Sequence, residues 1–350
     1  YSPYTTSGQL YFFLQGYNLT IGKGVKMENY ATSNTNQGLY SSKAPAFHIF
    51  GGWERYNESS LPRNNNEIKI MSGTYGRVIL GGSNGISSQS ALNNSTSHNF
   101  IGASQSDKFI TKCTVDINES TTNTTKYDYD INLLVGGGAT GNTYCDCTID
   151  IKNGTIGRML GGSIGDSSYR TSGYPVNTYI GSSTINISGG TIQEVFGGSL
   201  GRNMSAINSS SSNSNLCDVY YYGNIVMNIT GGTIAKTIYG AGAGAVTGYN
   251  DNSSDNYKSY GKNIQTTVTI NITGGTIDAT VDGGGYGYTN YLTERTIPQD
   301  GGTLYGDSTI NISGGTINGD VYAGGCGYDL SSKPKLAEVI GSTNVTINGT

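Results

Sequence analysis

Charge is scarce in this chain. Asp, Glu, Lys and Arg together make up 13% of the residues, the net charge is −4, and no basic run occurs. A Lys/Arg stripe that tracks phosphates is therefore excluded, and nucleic acid with it. Histidine is scarcer still: His48 and His98 are the only two, and neither sits in a nucleophile or metal motif. Five cysteines without a Cys-x-x-Cys spacing remove the usual zinc arrangements. Long apolar runs are missing as well. The nearest, Leu10-Tyr11-Phe12-Phe13-Leu14, falls far short of the roughly 20 residues of a membrane span and reads as a strand. No membrane insertion and no cofactor are expected. Tyr1 is not preceded by a charged n-region or cleavage site, so any signal peptide is taken as already removed, and no wall-sorting motif is found.

What is abundant is glycine, at 54 residues, with Ser, Thr, Asn and 27 Tyr. Such a composition suits disorder, because polar and Gly-rich tracts bury too little apolar surface to offset ordering entropy. Regular placement of Ile and Val argues the other way. Ser183-Thr184-Ile185-Asn186-Ile187-Ser188-Gly189-Gly190-Thr191-Ile192 returns as Ser308-Thr309-Ile310-Asn311-Ile312-Ser313-Gly314-Gly315-Thr316-Ile317. Met227 to Ile234 and Ile270 to Ile277 are further copies, Ile149 to Ile156 and Ile68 to Tyr75 are looser ones, and Cys113-Thr114-Val115-Asp116-Ile117 is half of one. Each is followed by an aliphatic pair running into glycine, as in Leu80-Gly81-Gly82, Leu160-Gly161-Gly162 and Val195-Phe196-Gly197-Gly198. Thr155, Thr191, Thr233, Thr276 and Thr316 are 36, 42, 43 and 40 residues apart, with the variation confined to the segment after the glycines. A repeat with one variable loop per unit is the signature of a solenoid.

The local chemistry fits. In Ile185-Asn186-Ile187 the period of two puts both Ile on one face and Asn on the other. Gly189-Gly190 turns the chain without a Cβ, and Thr191-Ile192 and Val195 begin further short strands. Three strands per repeat give a triangular coil whose inner face is buried only by stacking on its neighbours. The expected fold is all-β, a right-handed parallel β-helix of about eight to nine coils, roughly 40 Å long. Residues 1–17 are expected to form an N-terminal cap or strand donor, and 18–350 a single solenoid. The repeat resembles the Gly-Gly-Thr-Ile coils of large secreted surface proteins of anaerobic bacteria and archaea, which are similar to the pectate-lyase-like and autotransporter β-helix group. That resemblance implies an extracellular, secreted or cell-surface passenger or stalk rather than a reaction.

Candidate sites follow from the register. Asn186, Asn228, Asn271 and Asn311 should face outward and hydrogen-bond coil to coil as a structural ladder. Asp116 and Asp150 are expected at the same register, where close carboxylates repel unless a cation intervenes. Calcium-binding loops are absent, so solvated side chains are the expectation there. Cys113 and Cys147 are read as matching inward positions, forming either a disulfide or stacked thiols. Tyr220, Tyr221, Tyr222, Tyr286, Tyr288, Tyr291 and Tyr328 crowd the loops, either as a surface for glycan or protein or as packing against the corners. The densest charged cluster in the linear sequence is Lys126-Tyr127-Asp128-Tyr129-Asp130.

Two functions are expected from these features, with a third behind them. The first is a non-catalytic surface adhesin or stalk whose partner is a host or microbial surface glycan or protein. The second is a filament subunit whose partner is itself, stacking head to tail through Leu10, Phe12, Phe13 and Leu14 at one end and Val345 and Ile347 at the other. The third is a polysaccharide-active β-helix enzyme using Asp116 and Asp150.

Overall fold

The computed structural model describes residues 5–6, 9–14, 16–25, 47–52, 65–81, 109–118, 129–138, 143–164, 176–201, 218–243, 246–248, 266–287, 302–327 and 337–348. Among them there is no helix, and every strand but one pairs in parallel with strands a whole coil away. The chain is an all-β parallel β-helix. Each coil has three faces, shown by the coil in which Val176–Ile180 forms face 3, Ser183–Ile187 face 1 and Thr191–Phe196 face 2.

Stacking puts like on like. On face 1 one inward column runs Ile21, Ile70, Val115, Ile151, Ile187, Ile229, Ile272, Ile312 and Ile347, which makes nine rungs. A parallel column two residues earlier runs from Leu19 and Ile68 through Ile185, Met227 and Ile270 to Ile310 and Val345. Face 2 contributes Ile156, Ile192, Ile234, Ile277 and Ile317, and beside them Phe12, Ile49, Val78, Leu134, Met159, Val195, Ile238, Val281 and Val321. These columns form one continuous core. Face 3 adds Tyr179 and Tyr221 to it, stacked at 4.8 Å, their hydroxyls donating to the carbonyls of Ser182 and Asn224.

A second core lies outside the first. Phe13, Phe50, Ile79, Val135, Leu160, Phe196 and Tyr239 point away from the main core on face 2. They pack against Ile164, Leu200 and Ala243, which follow the glycines and are themselves stacked rung on rung. The repeated aliphatic-aromatic pair before the glycines therefore serves two cores, its first residue facing in and its second facing this outer seam.

The corners show why glycine is abundant. Gly190 has φ +76°, and a Cβ on the adjacent Gly189 would lie 1.9 Å from the Lys152 carbonyl oxygen of the coil before. A side chain at either place would hold adjacent coils apart. At the corner between faces 3 and 1 the backbone is secured differently. Asn65, Asp146, Asn224 and Asp307 each accept the backbone N–H of the residue one coil on, at Ile110, Ser182, Thr267 and Ser342. The Asx side chain thus fills a place in the ladder that the bending backbone leaves open.

Two expectations are corrected. Gln9–Phe13 does not depart from the repeat; it is the first rung of face 2, with Phe12 over Ile49 and Phe13 over Phe50. Leu10, Phe12, Phe13 and Leu14 are accordingly half-buried, and Phe13 stacks on Phe50 at 5.1 Å. Cys113 and Cys147 do not match either. Cys113 lies beside Ile149, whereas Cys147 lies beside Thr111 and Ser183, two residues earlier. The inward pattern of Phe109–Asp116 continues through Ile117, and a slip of two residues preserves which side chains face in.

Replacing Ile229, which lies mid-column and is 1% exposed, by Ala should remove about 2–5 kcal/mol of stability. Chemical denaturation of wild type and variant measures it; a loss well under about 1 kcal/mol would be incompatible with a close-packed column.

Candidate functional site

The outer side of face 1 carries a charged groove. Outward positions on Asn66–Ile70, Phe109–Asp116 and Thr143–Asn153 bring Glu67, Lys69, Met71, Lys112, Thr114, Asp116, Asp150 and Lys152 around a shallow depression of about 330 Å³. These residues come from three separate coils, so no linear stretch reveals the cluster. The expected charged run at Lys126 to Asp130 lies mostly outside the described residues; Asp130 itself accepts from the backbone N–H and hydroxyl of Thr155.

Most of the charge is paired. Lys69 Nζ lies 2.9 Å from Glu67 Oε2, and Lys112 Nζ lies 3.3 Å from Asp150 Oδ2. Asp116 is not stacked on Asp150: Thr114 takes that place, and Asp116 faces Asn153 across a bulge. Its Oδ1 accepts from the amides of Asn153 and Asn118, at 2.7 and 2.8 Å. Lys152 is exposed and has no carboxylate partner among the described residues. The groove therefore offers carboxylate acceptors held in place and one unpaired ammonium. Hydrogen bonds to such charged groups are stronger than neutral ones, which suits a hydroxyl-rich ligand.

From Asp150 a single line of amides runs along the same face. Asn186 donates to Asp150 at 2.7 Å, Asn228 to Asn186, Asn271 to Asn228 and Asn311 to Asn271, each of the last three at 2.9 Å. Every amide donates towards the N-terminal end, and the line finishes on a carboxylate that Lys112 also holds. Such aligned chains polarise one another. Flanking hydroxyls, Thr184, Thr269 and Thr309 on one side and Ser188, Thr230 and Thr273 on the other, make the rest of this face uncharged.

The tyrosines divide. Tyr221 and Tyr222 are 0% and 2% exposed, so they are core residues and not a binding surface. Tyr286 is half-buried in the outer seam, its ring 5.3 Å from Tyr239. The backbone of Tyr220 pairs with Thr178 and Val246, while Tyr288, Tyr291 and Tyr328 lie outside the described residues. The signal that could have separated them is position: Tyr221 stands three residues before Asn224, as Tyr179 stands three before Ser182, a register shared between coils.

Cys113, Cys145 and Cys147 are buried free thiols on inward positions, and Cys326 is a half-buried one. Cys113 and Cys147 are one strand and two residues apart, a separation of about 8 Å between Cα atoms, beyond the reach of a disulfide. Burial pushes Cys113 and Cys147 each up to about 12 and Cys145 well above its ordinary value. None is a nucleophile at neutral pH. His48 is buried too, and desolvation, aided by Arg77 in the next coil, drives it well below its ordinary value and keeps it neutral.

Comparison with known protein families, curated proteins and solved structures finds no match to this chain.

Alkylation of the native protein at about pH 8 should modify Cys326 and spare Cys113, Cys145 and Cys147 until denaturant is added. Peptide mass spectrometry reads the result. Native labelling of any of the three would show that this part of the core opens.

Proposed function

We propose that this chain is a structural and adhesive segment of an extracellular, cell-surface protein, a rigid solenoid that engages a surface glycan through face 1. Its role is contact rather than catalysis. The observation that carries the reading is the groove of Glu67, Lys69, Lys112, Asp116, Asp150 and Lys152, assembled from three coils on the open side of a solenoid otherwise poor in charge. A rod built from stacked rungs resists bending, and its in-register side chains suit contact with a repeating polymer. The reading moves the contact surface from the tyrosines to face 1.

Glycan-array binding by the intact protein tests it. Replacing Lys112 and Lys152 together by Ala should weaken binding by about tenfold, two charge-assisted contacts being removed. Binding that is unchanged in this variant, or no binding to any glycan, would defeat the reading.

A second reading is head-to-tail assembly of copies. Its basis is register: Val345 and Ile347 continue the same columns that contain Leu19 and Ile21. Against it, Thr5–Thr6 pairs antiparallel with Gln9 and Leu10 and so occupies part of the edge that a second copy would need. Light scattering over a concentration series decides. Polymers that vanish on deleting residues 1–17 would favour assembly, and a monomer at all concentrations would remove it.

A further inference from the structure

Asp282 stands where the other rungs carry apolar or aromatic side chains. The outward column of face 2 reads Phe13, Phe50, Ile79, Val135, Leu160, Phe196 and Tyr239, then Asp282, then Tyr322. Asp282 is 2% exposed, and its carboxylate accepts no hydrogen bond from a described residue. Immediately before it the column is an aromatic stack, Phe196 on Tyr239 at 4.9 Å, with the Tyr286 ring tilted against Tyr239. After it comes Tyr322. The strands that hold the site, Val281–Asp282 and Val321–Tyr322, are two residues long.

Among the described residues, the groups around it supply no counter-charge. Tyr239 faces Asp282 from the rung before and Tyr322 from the rung after. Burial raises Tyr239, and the bond from the Tyr322 hydroxyl to Asp320 raises Tyr322, so neither is charged near neutral pH. Cys326, on the adjoining column with Tyr286, is raised by burial and then by Asp282 itself. Among the described residues no ion pair reaches it: Arg158, in the same seam, is bonded to Glu194 through Nε at 2.7 Å.

We propose that Asp282 is a pH-responsive latch on face 2: with its carboxyl protonated the outer seam stays closed across Val281–Asp282 and Val321–Tyr322, and ionisation draws water into the seam and loosens both rungs. Burial alone pushes Asp282 up to about 7, so the latch works near neutrality. The folded group is raised above its unfolded value of about 4, so the folded state holds its proton more tightly. Its stabilising effect is complete at pH below about 4, is lost progressively as pH rises towards about 7, and changes no further above that.

Amide hydrogen exchange on the intact protein, corrected for intrinsic rates, tests this at about pH 5 and about pH 8. Protection of residues 281–287 and 321–327 should fall by about tenfold or more at the higher pH, while residues 308–312 on face 1 stay unchanged. Asp282→Leu, which copies Leu160 of the same column, and Asp282→Asn should both abolish the pH dependence, and Cys326→Ser should leave it intact. Equal protection of the wild type at both pH values would overturn the proposal even if the variants do not fold. So would a pH dependence that survives in Asp282→Leu, or one that disappears in Cys326→Ser.

Discussion

Everything in this molecule depends on parallel rungs hydrogen-bonding in register, about 4.8 Å apart. At that spacing a side chain meets above and below it the residues at the same place in the neighbouring coils, and the pairing rewards whatever tolerates its own copy. Isoleucine does, and the core is four columns of it and its relatives. Asparagine does because it has a donor on one side and an acceptor on the other, so a column of amides becomes a hydrogen-bonded line from Asp150 to Asn311. Glycine does at the corners, where a Cβ at Gly189 or Gly231 would strike a carbonyl of the coil before and one at Gly161 or Gly197 a carbonyl of the coil after.

The same constraint explains how a chain with only 35% apolar residues folds. Each coil alone has too small an interior, but the columns run through nine rungs, so ends are few relative to length. The outer seam extends this. By turning at Gly197-Gly198 and laying Leu200 back over Phe196, the chain buries on its outside a second row of rings and methyls that a simple triangular coil would leave wet. Arg158 lies in the same seam, 5% exposed, bonded to Glu194 of the next rung and 5.5 Å above the Phe196 ring. A buried cation is tolerated there because both a carboxylate and a ring face satisfy it.

The sequence revealed the columns almost completely, because Ile-Asn-Ile-Ser/Thr-Gly-Gly-Thr-Ile states period, facing and corner together. The placing of Asp116 and the cysteines was hidden for one physical reason: a period-two pattern is blind to a slip of two. Cys113-Thr114-Val115 and Val115-Asp116-Ile117 fit the repeat equally well, and only the hydrogen-bonded pairing of Val115 with Ile151 selects the first. That slip misplaced Asp116 and the cysteines together. The first rung was missed for another reason. Leu10 to Leu14 lacks the Ile-Asn-Ile signal because it belongs to face 2, and Leu14 follows Phe13 where Gly51 follows Phe50 on the next rung. The tyrosines were misjudged because composition cannot say which ring fills a corner, as Tyr221 does, and which covers a seam, as Tyr286 does.

Charge is the one property that cannot be stacked on its own copy. Two like charges about 5 Å apart cost roughly 1 kcal/mol in water and several times that when partly buried. Charged positions must therefore alternate in sign, be diluted by neutral residues, or lose their charge. Glu67 is followed by Lys112 and then Thr148; Lys69 is followed by Thr114 and then Asp150. Arg158 meets Glu194, and His48, placed over Arg77, is driven neutral. A charged site on a solenoid face is in consequence close to electrically balanced, and what distinguishes the face 1 groove is the order of its charges rather than their sum. Lys152 stands out because it sits at the bulge between Val115 and Asp116, where the register breaks and strict pairing lapses. An irregularity in the stack is where a repeating surface can carry a group that its neighbours do not cancel.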